Sequence, residues 1–208
     1  MITVYHLSSS RSERIVWLME ELGLEYQLEL FQREASGAAP APMKAIHALG
    51  KAPIVRDGDT VLAESGAIVD YIVHRHAMGR LALPPEHPAY ARYLYWLHFA
   101  EGSLMSLLLI ALVLSRVPEA TASPVTGRVR DRMKQMLSFV DAQIGPGPWF
   151  AGAEFTAADV MMVFPFTTMR HFLAYDIEPY ANIVAYLARI EARPAYQRAM
   201  ALAGPKPR

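Results

Sequence analysis

The sequence predicts two architectures in series: a mixed α/β layer over the first third of the chain and an all-helical domain over the remainder. Three observations predict it. Strand-like and helix-like segments alternate up to about residue 76. A proline-dense stretch, Leu83-Pro84-Pro85-Glu86-His87-Pro88, then interrupts the pattern. Beyond it no strand pattern is present, and long helical periodicities take over. The boundaries read from these shifts are a first domain over 1–78, a linker over 79–88 and a helical domain over 89–208.

The elements of the first domain follow in order. Ile2, Val4 and His6 alternate with Thr3, Tyr5 and Leu7, as a buried or half-buried strand does. Ser12 then precedes Ile15, Leu18, Met19 and Leu22, which share one helical face, and Gly23 supplies the stop. Glu25 to Leu30 reads as a second strand. Residues 34 to 47 are rich in Ala, Pro and Gly and read as a loop with a short helix. Two short strands, Pro53 to Val55 and Val61 to Ala63, are joined through Arg56-Asp57-Gly58-Asp59-Thr60. A helix from Ser65 to about Arg75 closes the domain, with Ile68, Tyr71 and Ile72 inward. A leading βαβ unit followed by a hairpin and a helix is a layer fold of thioredoxin type.

The helical half reads as five segments. They are Pro88 to about Arg116, Thr121 to Ile144, Thr156 to about His171, Tyr180 to Ala192 and Pro194 to Ala203, with Gly145-Pro146-Gly147-Pro148 ending the second. Phe155-Thr156-Ala157-Ala158-Asp159-Val160 carries an N-cap threonine with an acidic residue three positions on, and Phe155 is placed to staple onto Val160. This predicts a structural role for Asp159 despite its conspicuous place in an apolar run.

Composition excludes several functions. Twenty basic residues balance twenty acidic ones, so no global field attracts nucleic acid or an anionic membrane, and an anionic ligand needs a local cationic patch. The absence of cysteine removes disulfides, thiolate metal sites and a cysteine nucleophile. His74-Arg75-His76 has no third ligand at suitable spacing and ends a helix, where basic residues complement the dipole, so no metal is expected. Met1-Ile2-Thr3-Val4-Tyr5 leads into a strand without a charged leader region, and the apolar stretch Leu104 to Leu114 is too short to cross a bilayer. A cytoplasmic protein is expected.

Four segments carry a more specific signal: His6-Leu7-Ser8-Ser9-Ser10-Arg11-Ser12-Glu13-Arg14, Leu49-Gly50-Lys51-Ala52-Pro53-Ile54, Ala63-Glu64-Ser65-Gly66-Ala67-Ile68 and the Phe155 to Val160 capping motif. With the two-domain order, they make the whole chain resemble a cytosolic glutathione transferase. The Ser-Arg-Ser start before Trp17-Leu18-Met19-Glu20-Glu21-Leu22 resembles a bacterial and fungal serine-type branch near the theta, zeta and nu-like groups. The N-terminal tyrosine position of the alpha, mu and pi classes is lacking, as is the cysteine of the beta and omega classes.

The resemblance implies a cis Pro53, with the main chain of Ala52 facing a groove where the cysteinyl part of glutathione adds as a short strand. Ser65 opens a helix, where free N–H groups and the positive dipole end suit the γ-glutamyl carboxylate. Glu64 is expected to face the γ-glutamyl amine or hold the loop, and Lys51 to pair with the glycyl carboxylate. In the serine cluster, Ser9 aligns with the thiolate-stabilising serine, Ser10 is the second choice, and Arg11 adds positive potential. Capping of the first helix is the plainer reading of the same serines. The electrophile is expected between the domains, with a few of Tyr95, Trp96, Phe99, Met105, Phe166, Met169 and Phe172 as apolar wall and most of them as core, as aromatics at helical spacing usually are. Glu101 is placed in that pocket or in a dimer cleft, with a solvated carboxylate beside His98 as the plainer reading. Glutathione is the expected co-substrate, with no metal, and the resemblance implies a homodimer.

Three activities fit these residues. One is conjugation of the glutathione thiolate to a small hydrophobic electrophile. A second is glutathione-dependent disulfide or peroxide reduction. A third is non-catalytic glutathione binding. Fold alone does not choose among them.

Overall fold

The computed structural model describes residues 1–145 and 147–205. The chain divides into two compact units, Met1–Ala82 with Glu191–Arg208, and Leu83–Ile190.

The first unit is built on a four-stranded sheet in the order β2-β1-β3-β4. β1 (Ile2–Leu7) is buried along its whole length, as a strand covered on both faces must be. It pairs parallel with β2 (Tyr26–Phe31) and antiparallel with β3 (Ile54–Asp57), which forms a hairpin with β4 (Thr60–Ala63). The hairpin pairs Asp57 with Thr60, so its turn is Gly58-Asp59 alone, tighter than the five-residue connection read from the sequence. Gly58, at φ 57°, supplies the left-handed backbone that a two-residue turn requires. The crossover from β1 to β2 runs through α1 (Glu13–Leu22), whose face Ile15, Leu18, Met19 and Leu22 is buried as its spacing predicts. Gly23, left-handed at φ 61°, ends it, and the Leu24 N–H returns to the Met19 carbonyl. A short α2 (Pro42–Ile46) and α3 (Ser65–His76) complete the thioredoxin-like layer. The two histidines at the end of α3 have ordinary partners: His76 meets Asp57 at 2.7 Å, and His74 lies 3.4 Å from Asp70.

The second unit is helical. α4 (Tyr90–Phe99), a π-helical stretch over Ala100–Met105 and α5 (Ser106–Ser115) run on as one helix. The apolar stretch 104–114 is thus part of a longer helix. The continuous helix Tyr90–Ser115 has 26 residues and an apolar window of mean hydropathy 1.9, enough by length and composition to cross a membrane. Its inner face, including Leu104, Met105 and Leu108, is nevertheless core of the helical unit. α6 (Pro124–Ile144), α7 (Ala157–Phe166) and α8 (Ala181–Glu191) follow, with a 3₁₀ turn over Thr168–His171 where the sequence pattern extended α7. Around Trp96 an aromatic cluster forms with Phe99, Phe139 and Phe150 at centroid distances of 4.8 to 6.0 Å.

α7 starts as its motif predicts. Thr156 and Asp159 form a reciprocal capping box, and both are buried. Asp159 does more than cap. One carboxylate oxygen accepts the Thr156 N–H at 2.9 Å, while the other accepts the N–H of Phe150 at 3.0 Å and so ties down the preceding loop.

The last helix, α9 (Pro194–Ala203), packs on α1 and belongs to the first unit. The sequence pattern alone places it in the helical domain, over 89–208. The joint is specific: Tyr196 meets Trp17 edge-on at 4.9 Å, and Arg193 forms a two-pronged pair with Glu21 at 2.7 Å on each arm. Glu21 also accepts the Trp17 indole N–H at 2.9 Å.

Candidate active site at one end of the sheet

Strand register gathers the predicted binding residues. β1 and β3 are antiparallel with Tyr5 opposite Ile54, so the chain leaving β1 and the chain entering β3 meet at one end of the sheet. Ala63 stands opposite Ile54, which brings the end of β4 to the same place. Ser8–Ser10, Lys51–Pro53 and Glu64–Ser65 therefore share one edge, although they span 58 positions from Ser8 to Ser65. The N-termini of α1 and α3 open there too, each with a positive dipole end, and the first N–H groups of α1 donate to the carbonyls of Ser10, Arg11 and Ser12.

Each residue has a distinct setting. The Ala52–Pro53 bond is cis, and Ala52 lies just outside the ladder, whose pairings begin at Ile54. Pro53 is buried, Ala52 half-buried and Lys51 exposed. The approach to this segment depends on Gly50, buried at φ 56°, where an added Cβ would lie 2.6 Å from the Lys44 side chain. Ser65 is buried as the first residue of α3. The Glu64 side chain is exposed, on a backbone held at φ 73°, ψ 120°. A non-glycine residue in such a region stores roughly 1–3 kcal/mol, which the surrounding structure must hold in place.

The serine cluster separates into two kinds of hydroxyl. Ser10 is buried, with its oxygen 2.6 Å from Ser12 Oγ and accepting the Ser12 N–H at 3.2 Å. Ser12 is fully buried, accepts the Leu7 N–H at 3.1 Å and meets His6 Nδ1 at 2.9 Å. Those two serines build the turn that starts α1. Ser9 is different. It is half-buried with a left-handed φ of 49° and stands outside this serine–histidine chain. Arg11 is half-buried on the same turn.

Glu101, Met105 and Phe166 lie in the helical unit. Met105 and Phe166 are each 1% exposed and are core, as are Trp96 and Met169. Glu101 is half-buried within the π-helical stretch, where its carbonyl accepts the Ser106 hydroxyl at 2.8 Å. The helical unit also contains a cavity of about 630 Å³ that the sequence reading missed. It lies among α5, α6 and residues 173–180, with Val129, Met133, Leu137 and Leu173 as apolar wall and Arg130 and Lys134 as cations. Its α6 residues follow ordinary helical spacing, which a packed core would show equally.

Known proteins place this architecture. Residues 1–74 match the N-terminal domain of glutathione S-transferases, and residues 119–189 match their C-terminal domain. Glutathione S-transferase 3 of Schizosaccharomyces pombe is 32% identical over 94% of this chain and 85% of its own. Glutathione S-transferase 1 of Saccharomyces cerevisiae is 30% identical over 94% of this chain and 92% of its own. A crystal structure of a glutathione S-transferase from Actinobacillus pleuropneumoniae superposes with a TM-score of 0.88 at 36% identity, covering 98% of this chain and 93% of that one. The chain belongs to the glutathione S-transferase family. It is a transferase whose family uses glutathione as co-substrate.

Proposed function

We propose that the enzyme binds glutathione along the sheet end, stabilises its thiolate with Ser9 and adds that thiolate to a small apolar electrophile. The observation that carries this reading is the convergence of Ser9, Ala52 and Ser65 with two helix N-termini at one edge of the sheet. In this reading the cysteinyl main chain pairs with Ala52 beside Pro53. The γ-glutamyl carboxylate sits on Ser65 at the start of α3, Glu64 faces the γ-glutamyl amine, and Lys51 meets the glycyl carboxylate. A free thiol has a pKa of ~8.5 and is largely protonated at neutral pH. A hydroxyl donor and the positive end of α1 stabilise the anion, so more of the bound tripeptide is nucleophilic. Ser9 fits the donor role better than Ser10, whose oxygen is engaged within the α1 turn. Arg11 adds positive potential to the same turn.

The helical unit's cavity, about 630 Å³, falls within the range of small-molecule pockets, roughly 300–1,000 Å³. A cytoplasmic homodimer completes the proposal. The exposed apolar residues Leu109, Ile110 and Val113 of α5 suit a buried contact, with Glu101 near the dimer cleft. Sedimentation at micromolar concentration should give a dimer, and a monomer would contradict that part.

Calorimetric titration with reduced glutathione tests the binding site. Ser65→Ala should weaken binding about tenfold, the scale of one hydrogen bond to a charged group. Equal heats and affinities for wild type and variant would place the tripeptide elsewhere. Turnover of aryl halides supports conjugation, whereas turnover of hydroxyethyl disulfide alone would assign the enzyme to reduction.

A further inference from the structure

We propose that Arg33 is a positioning residue for the thiolate-stabilising serine, an inference that rests on the assignment of Ser9 above. Arg33 lies two residues beyond β2, whose parallel register brings Phe31 beside Leu7 at the active end of the sheet. Its guanidinium joins three main-chain carbonyls from two loops. Nε donates to the Ser8 carbonyl at 3.1 Å, Nη2 to the Ser9 carbonyl at 3.0 Å and Nη1 to the Gly37 carbonyl at 2.8 Å. The Ser8 N–H donates to the Phe31 carbonyl at 2.9 Å, so the serine loop is held from both sides of its peptide chain.

The arrangement bears on the strained residue of the site. Ser9 holds φ at 49°, a conformation that a non-glycine residue keeps only where its surroundings enforce it. Carbonyls pinned on Ser8 and Ser9 fix the two peptide planes that flank this φ, and hence the direction of the Ser9 Cα–Cβ bond. A planar guanidinium suits the task because its donors form a rigid fork, which a lysine ammonium does not reproduce. Half-burial also disfavours the charged form of Arg33 relative to water, the cost of keeping a cation against the loop. The 34–38 segment is part of the same clamp. Arg33 bonds the Gly37 carbonyl, and the Gly37 N–H returns to the Glu34 carbonyl at 2.8 Å. A short polar turn thereby becomes a brace between β2 and the serine loop.

The test compares Arg33→Gln, Arg33→Lys and Ser9→Ala in the full-length enzyme, with thermal melting to establish that each is folded. The expected result is that both Arg33 variants bind reduced glutathione within about threefold of wild type, while kcat/KM falls about tenfold or more, as misplacement of a reacting group does. The bound-thiol pKa should rise toward its free value in Arg33→Gln and in Arg33→Lys alike. In the double variant with Ser9→Ala no further loss should follow, because the clamp acts through that hydroxyl. Two outcomes overturn the proposal while the site assignment stands: a thiol shifted by Ser9→Ala but not by Arg33→Gln, or full recovery in Arg33→Lys, which would mean that charge alone matters. If Ser9→Ala itself leaves the bound thiol unchanged, the assignment of Ser9 has failed and the proposal falls with it.

Discussion

Alanine in place of Ser9 is expected to lower kcat/KM for conjugation about 10- to 100-fold, with glutathione affinity nearly unchanged. The magnitude follows from a hydrogen bond to a charged group, about 1.5–3 kcal/mol, formed with the thiolate and weaker with the thiol. The substitution removes only Oγ from a half-buried residue outside the Ser10–Ser12–His6 chain, so the fold should survive it. Ser10→Ala should behave in the opposite sense. Its oxygen contacts Ser12 Oγ at 2.6 Å in the α1 turn, and its loss should destabilise the protein by about 1–2 kcal/mol with a small direct effect on the thiol. Stopped kinetics and melting curves on the two variants separate the roles. A silent Ser9→Ala beside an inactive but stable Ser10→Ala would move the assignment by one residue.

The second large effect concerns Asp159. Asp159→Ala should destabilise the protein by about 3–5 kcal/mol, measured by urea unfolding, because it removes the α7 cap and leaves the N–H groups of Phe150 and Thr156 buried without acceptors. Its titration has a definite sign. Burial raises the carboxyl to about 6, against the opposing pull of the donors from Phe150 and Thr156. An aspartate in the unfolded chain titrates near ~3.9. Between those values the folded state holds the proton and the unfolded state has released it. The stability linked to this proton is therefore full below ~4 and declines as pH rises through about 6. Wild type should lose roughly 1–3 kcal/mol across that window relative to Asp159→Asn, which cannot titrate there. Parallel stability curves for the two proteins would show that the carboxyl is ionised throughout.

Why some features were legible in the sequence and others were not has a physical basis. Pro53, Ser65, Gly23 and the Thr156–Asp159 box declare themselves because each is a local backbone event with a restricted choice of residue. Ser9 was legible only as one of several neighbouring serines, since burial is what sets Ser10 and Ser12 apart from it and depends on where His6 folds. Arg33 gave no signal. In Phe31-Gln32-Arg33-Glu34 it looks like any solvated cation, and its three carbonyl partners depend on the β1–β2 register. The π-helical stretch at Ala100–Met105 is hidden in the same way, because one helical pattern runs through it. α9 reads correctly as a helix, but its neighbour is set by Arg193–Glu21 and Tyr196–Trp17, contacts between residues more than 170 positions apart. Apolar spacing on α6 announced a core and not a cavity, because Val129, Met133 and Leu137 look alike whether or not a neighbouring side chain fills the space before them.

Ultraviolet titration of the thiol of glutathione bound to the wild-type enzyme tests the central claim most directly. The account predicts ionisation well below the free value of ~8.5, since a serine hydroxyl and the opening of α1 both favour the anion. A tripeptide that binds at the sheet end yet ionises at its free value would contradict it.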